Sequence, residues 1–171
     1  MALAAVRPAR PDDVDEIVRI QALTWRTAYA EFVPPAALEE LTSPAARQAW
    51  QQAVGAGTGH HVLVATEGDA TVGFCAAAAG EVSTLLVEPR WGRRGHGGRL
   101  LHAAVDALRS DGAERGVTWV AEPDHATLRF YARAGWEPDG AVRVLDAGER
   151  ELRELRLAGS LELRLRDWLP G

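Results

Sequence analysis

The segment Glu81 to Leu101 constrains the chain more than any other. Glu81-Val82-Ser83-Thr84-Leu85-Leu86-Val87-Glu88-Pro89 is a β-type run closed by proline. Arg90-Trp91-Gly92-Arg93-Arg94-Gly95-His96-Gly97-Gly98-Arg99 follows as a glycine-rich turn, and Leu100, Leu101, Ala104, Val105 and Leu108 then recur at helical spacing. A strand, a glycine turn and a helix in that order bring backbone N–H groups together at a helix start, where the helix dipole favours phosphate. Between Glu88 and Arg99 stand Arg90, Arg93, Arg94 and Arg99, a local excess of positive charge in a chain whose formal net charge is −5. A polyanion site in this protein is therefore local, and the acidic balance argues against nonspecific binding of nucleic acid or anionic membrane. The turn lacks the Lys-Ser/Thr of a nucleotide P-loop, and it fits poorly a dinucleotide fingerprint, which wants its strand-loop-helix unit near the beginning of a parallel sheet with an acidic residue after the next strand.

The rest reads as a single domain over residues 1–171. A first strand from about Leu3 to Val6 ends at a proline turn, where Asp12 can cap an amphipathic helix carrying Val14, Ile17, Val18, Gln21, Trp25 and Tyr29. Pro34-Pro35 breaks that helix, and Ala36 to Val54 forms a second with an interruption at Ser43-Pro44. His61 to Thr66 and Thr71 to Ala79 are strands joined by a hairpin, Gly116 to Ala121 is another strand, and Asp124 can cap a short helix stopped by Gly135. Ala141 to Leu145 and Leu152 to Leu157 close the sheet, with Leu152 out of phase and suggesting a bulge or a frayed start. The predicted class is α+β: a mixed, mostly antiparallel central sheet of about six to seven strands with about four helices. No run approaches a membrane span, the apolar start is too short for a signal peptide, and the expected location is cytoplasmic. The lone Cys75 reads as a buried thiol, and no His/Asp/Glu spacing supports a metal.

Two motifs give this chain its resemblance to the GNAT acetyltransferase superfamily. Leu85-Leu86-Val87-Glu88-Pro89, Gly95-His96-Gly97 and Leu100-Leu101 are similar to the family's acetyl-CoA motif, with Gly92 where Gln or Arg is usual. Asp124-His125-Ala126-Thr127-Leu128-Arg129-Phe130-Tyr131-Ala132-Arg133-Ala134-Gly135-Trp136 resembles its Asn-x-x-Ala-x-x-Phe-Tyr-x-x-x-Gly-Phe helix. The resemblance covers about residues 3–157 and implies transfer of an acetyl group from acetyl-CoA to a primary amine by direct attack in a ternary complex. It assigns the Leu85 N–H to the thioester oxygen, the backbone of Leu86 and Val87 to pantetheine, and Arg93, Arg94, Gly95, His96, Gly97, Gly98, Arg99 and Asp124 to cofactor binding. Either Arg93 or Arg94 replaces the side-chain contact missing at Gly92. Tyr131 is the implied acid for the thiolate and Glu81 the implied base, with Glu122 and His61 as alternatives. Trp25 and Tyr29 shape the acceptor pocket. The competing readings are a non-catalytic acyl-CoA sensor and an RNA-interacting basic arm. Dimerisation is common in the family, and the leucines alternating from Leu161 through Leu163 and Leu165 offer an edge strand or a homodimer surface.

Overall fold

Two helix-bearing faces of one sheet account for the burial pattern of the chain. The computed structural model describes residues 2–146 and 150–163. The first strand, β1 (Ala4–Pro8), ends at a turn closed by Asp13: this carboxylate accepts from Arg7 at 2.7 and 3.0 Å and from the Arg10 N–H at 2.7 Å. The Arg7 hydrogen bonds hold Asp13 below the usual carboxylate range. Asp13, rather than the expected Asp12, therefore marks the entry to α1 (Val14–Ala28), because the one-turn 3-10 helix Pro11–Asp13 takes up the intervening residues. The expected second helix is two, α2 (Pro35–Glu40) and α3 (Pro44–Val54). Pro44 fits only a first helical turn, and the Ser43 hydroxyl accepts from the Ala46 N–H at 3.1 Å, so Ser43-Pro44 starts a new helix.

Three antiparallel strands follow, β2 (His60–Glu67), β3 (Ala70–Ala78) and β4 (Glu81–Val87), then α4 (His96–Ser110), β5 (Arg115–Ala121), α5 (His125–Arg133), β6 (Glu137–Asp146) and β7 (Glu151–Ser160). The sheet has seven strands in the order β1-β2-β3-β4-β5-β7-β6, and β4·β5 is its parallel pair. This is the expected α+β architecture with one helix more than anticipated.

Alternation along β2 and β3 sends side chains to opposite faces. Val62, Val64 and Phe74 meet Ile17, Ile20 and Trp50 of α1 and α3, with Phe74 edge-on to Trp50 at 5.2 Å. Leu63, Ala65, Cys75 and Ala77 join Leu100, Leu101, Val105 and Leu108 of α4 on the other face. Each fully buried Val, Leu, Ile or Phe among them contributes roughly 1.5–3 kcal/mol of transfer free energy. Trp136 closes this core beyond α5. Its ring occupies the notch left by the paired glycines Gly116 and Gly159, where an added Cβ would stand 2.4 and 2.2 Å from the indole.

The phase anomaly at Leu152 has a different cause from a bulge in its own strand. The register slip lies in β6, between Pro138 and Val142, and β7 runs in register with β5. Leu152 is buried from the α1 face, Leu157 from the α5 face. Both faces of β7 are covered, so its apolar residues need not share a phase. Leu161 is 3% exposed against Gly116 and the Trp136 core, which removes it from any edge strand or partner surface. Leu165 lies outside the described residues.

Candidate functional site

The parallel pair that carries the site is barely a pair. β4 and β5 are in register at Glu81↔Val117, where the Val117 N–H donates to the Gly80 carbonyl at 2.9 Å. One residue further the Thr118 hydroxyl, not a backbone N–H, donates to the Val82 carbonyl at 2.7 Å. Beyond it the strands diverge and a slot of about 110 Å³ opens through the sheet. Ser83, Thr84, Leu85 and Leu86 line one wall, and Thr118 to Ala121 the other. Because side chains alternate, Leu85 and Val87 pack toward α4 while Leu86 packs toward α1. The slot is thus open to both faces.

Tyr131 of α5 and the Trp25–Tyr29 pair of α1 reach this slot from opposite sides. Tyr131 is 3% exposed, stacked on Trp136 at 5.5 Å and edge-on to Phe130 at 5.1 Å. Burial pushes its phenol well above the ordinary range, opposed by a hydrogen bond with Thr118, so its proton is retained across ordinary pH. Trp25 and Tyr29 meet edge to face at 5.0 Å. The Tyr29 hydroxyl donates to Asp124 Oδ2 at 2.6 Å, and burial followed by that bond raises Tyr29 likewise. Asp124 also accepts from the Thr127 N–H at 3.1 Å and from its hydroxyl at 2.6 Å. Asp124 is therefore the cap of α5, with both oxygens engaged inside the protein.

At the end of β4 the glycine turn is held by two carboxylates that motif reading passed over. Glu88, 2% exposed, pairs with Arg90 at 2.7 Å and with Arg19 of α1 at 3.1 Å. Glu67, the last residue of β2, takes Arg94 at 2.9 Å and His96 Nε2 at 2.8 Å, and the His96 bond with the Arg94 charge holds it below its usual range. Arg99 Nη2 donates to the Arg94 carbonyl at 3.0 Å and lies 3.0 Å from His96 Nδ1. Guanidinium only donates, so Nδ1 accepts and the Nε2–H donates a hydrogen bond to the Glu67 carboxylate. His96 is 1% exposed, and its side chain is a strut beneath the turn rather than a contact on its surface.

The glycines divide by purpose. Gly95 has φ +83° and starts α4, leaving the N–H groups of His96, Gly97 and Gly98 without helical partners. Gly92 keeps an ordinary φ of −64°, and it is Arg93 that takes the left-handed conformation, φ +62°. A Cβ on Gly97 would stand 3.1 Å from the Phe130 ring, so this glycine lets α4 approach α5. Arg93 is exposed and has no ion pair among the described residues, which leaves it as the turn's unengaged cation. All 19 basic residues of the chain are arginine, none lysine.

Not every sequence candidate reaches the slot. Glu81 stands at its closed base, in register with Val117, and is not part of its wall. Glu122 pairs with Arg153 at 2.9 Å, and His61, on β2 two strands to the side of β4, pairs with Asp111 at 2.7 Å. The carboxylate that does line it is Glu154 of β7, bonded through Oε1 to Arg143 at 2.6 Å. Its sequence setting, charges alternating with leucine, reads as a solvated strand face. Trp119, also on the wall, lies under the Arg143 guanidinium at 4.4 Å. Among the described residues no cluster of His, Cys, Asp and Glu could hold a metal, and no helix is long and apolar enough to cross a membrane.

A family model described as an acetyltransferase (GNAT) domain matches residues 28–148. Comparison with curated proteins gave no match. Among solved structures, a GCN5-related N-acetyltransferase from Rhodopseudomonas palustris is 22% identical, with TM-score 0.75 over 94% of this chain and 97% of that one. The paia N-acetyltransferase of Thermoplasma acidophilum in complex with coenzyme A is 14% identical, with TM-score 0.73 over 92% and 99%. yncA from Salmonella typhimurium, with its cofactor acetyl-CoA, is 20% identical, with TM-score 0.71 over 98% of each chain.

Proposed function

This chain belongs to the GNAT acetyltransferase family, and we propose that it transfers the acetyl group of acetyl-CoA to a primary amine by direct attack in a ternary complex. The observation that carries the reading is the slot through the sheet, with a retained phenol proton at one side and unpartnered helix N–H groups beyond the end of the same strand. Acetyl-CoA, when bound, supplies the acyl carbon and a thiolate leaving group.

The chain's own residues fit that partner. The N–H groups of His96, Gly97 and Gly98 and the Arg93 guanidinium would hold pyrophosphate, while Arg94 and Arg99 act by bracing the turn. On its β5 side β4 has no ladder beyond the Thr118 bond to Val82, so the Leu85 N–H would donate to the carbonyl oxygen as it gains charge and the Val87 backbone would pair with a pantetheine amide, whereas the Leu86 backbone, by alternation from the Glu88 N–H bonded to Val72, faces β3. The Tyr131 Oη would give its proton to sulfur and recover one from the acceptor nitrogen. Asp124 orients α5, and hence Tyr131. Glu81, at the base of the slot, would reach an amine only through water. The proposal places the enzyme in the cytoplasm, with no metal in the chemistry.

A thermal-shift series with acetyl-CoA, longer acyl-CoAs, CoA, ATP and RNA, followed by thiol release with an amine panel, tests this. Acetyl-CoA at 100 times its dissociation constant should add about 2.7 kcal/mol, a rise of roughly 5–10 °C for a chain of this size. Stabilisation by ATP or RNA and not by CoA species would overturn the reading. Stabilisation without thiol release would select a binding-only protein.

A further inference from the structure

The charges around the slot are unevenly placed, and this limits what can enter it. Among the described residues of its wall, Glu154 is the single charged side chain. The others are apolar, aromatic, hydroxyl or amide groups, and both tyrosines on the wall stay neutral because burial raises them. The Asp124 carboxylate lies directly behind Tyr29. Arg143 of the outer strand β6 is bonded to Glu154 Oε1 and stacked on Trp119, and Arg156, over the same ring at 5.9 Å, is paired with Asp139. An ammonium entering from the α1 face meets a carboxylate between Trp25, Tyr29 and Trp119. A substrate carboxylate entering there meets no cation on the wall and the like charge of Glu154, an unfavourable arrangement for an anion leaving water.

We propose that Glu154 selects the acceptor: a primary ammonium on an uncharged stem, with no carboxylate on the carbon bearing the amine, so that free α-amino acids are excluded. This rests on the acyltransferase reading above and names its acceptor class. The reaction balances as R–NH3⁺ plus acyl thioester giving amide, thiol and one proton. One N–H proton leaves to solvent before attack, the C–N bond forms as C–S breaks, and Tyr131 exchanges its proton for the second. Glu154 touches the ammonium before that first loss and sets acceptor affinity rather than the chemical step.

The test is calorimetric binding to the full chain saturated with CoA, which allows no turnover. The probes are two pairs that differ only by the carboxylate: phenethylamine against phenylalanine, and isobutylamine against valine. Loss of a charge-assisted contact corresponds to about 10–100-fold, so each amine should bind at least about tenfold tighter than its amino acid. Glu154→Gln should weaken phenethylamine by about tenfold. Arg143→Gln, which frees the carboxylate of its partner, should tighten it, the reverse of what general loosening of the strand would do. Equal or tighter binding of the amino acids, no binding by either amine, or an unchanged affinity in Glu154→Gln overturns the inference. The two readings fail separately: CoA stabilisation with the wrong amine preference defeats the acceptor class alone, and absence of any CoA effect defeats the acyltransferase.

Discussion

The Tyr29 hydroxyl donates to Asp124 Oδ2 at 2.6 Å, tying the C-terminal end of α1 to the cap of the helix that carries Tyr131. Tyr29 is thus both a wall of the slot and a brace across it. Tyr29→Phe keeps the ring and removes a hydrogen bond to a charged group, so about 1.5–3 kcal/mol should be lost, and the melting temperature should drop by roughly 3–10 °C. Amide exchange should accelerate in α5 more than in α4. Equal acceleration in both helices would sink the idea of a local brace.

Tyr131→Phe leaves the stack on Trp136 in place and deletes the proton, so turnover should fall by about 10²-fold or more while the fold is kept. The wild-type rate should show no descending limb from Tyr131 between pH 7 and 10, because burial raises this phenol above its ordinary value and the acid form persists there. A rate profile of kcat against pH, run on both proteins, checks the two statements together.

Arg93 holds φ +62°, a conformation costing a residue with a Cβ roughly 1–2 kcal/mol. Arg93→Gly should therefore stabilise the free protein by up to about 1 kcal/mol and at the same time raise the KM for acetyl-CoA. Arg93→Gln should raise that KM without the gain in stability. An Arg93→Gly protein that binds acetyl-CoA as before would show the cation to be idle.

Burial pushes the Cys75 thiol from about 9 up to about 12. The folded pKa is raised, so the stability it contributes is complete below pH 9 and drains away as pH climbs from 9 toward 12. By pH 10 the loss from this one group is about 1.4 kcal/mol. Urea midpoints at pH 7 and 10 should show it, and Cys75→Ala should be less stable at pH 7 with a smaller alkaline loss. A loss as large as the wild type's would place its origin elsewhere.

The sequence was most legible where local chemistry decides the outcome. Proline at Pro44 and Pro89 and the Asp124 cap could be read in place, whereas the glycine turn expected to run to Arg99 gives way to helix already at His96. What escaped was whatever depends on pairing across the sheet. Glu67 looked like part of a hairpin and proved to anchor Arg94 and His96. Glu154, which no sequence motif marks, lines the slot because β7, not β6, lies beside β5. Leu152 seemed out of phase because strand order, which covers both faces of β7, is not written locally. The positive turn also has partners outside its own segment: Glu67 of β2 engages Arg94, and Arg19 of α1 joins Arg90 on Glu88.

The arginine-only basicity of the chain bears on its life beside a reactive thioester. Guanidinium stays protonated at any pH the protein meets and is a poor nucleophile toward acyl carbon, whereas lysine amines acylate slowly without any catalyst. With no lysine among its side chains, the protein offers acetyl-CoA no ε-amine to mark. Incubated at high acetyl-CoA alongside lysine-bearing proteins, it should keep its side-chain mass while its neighbours gain acetyl groups.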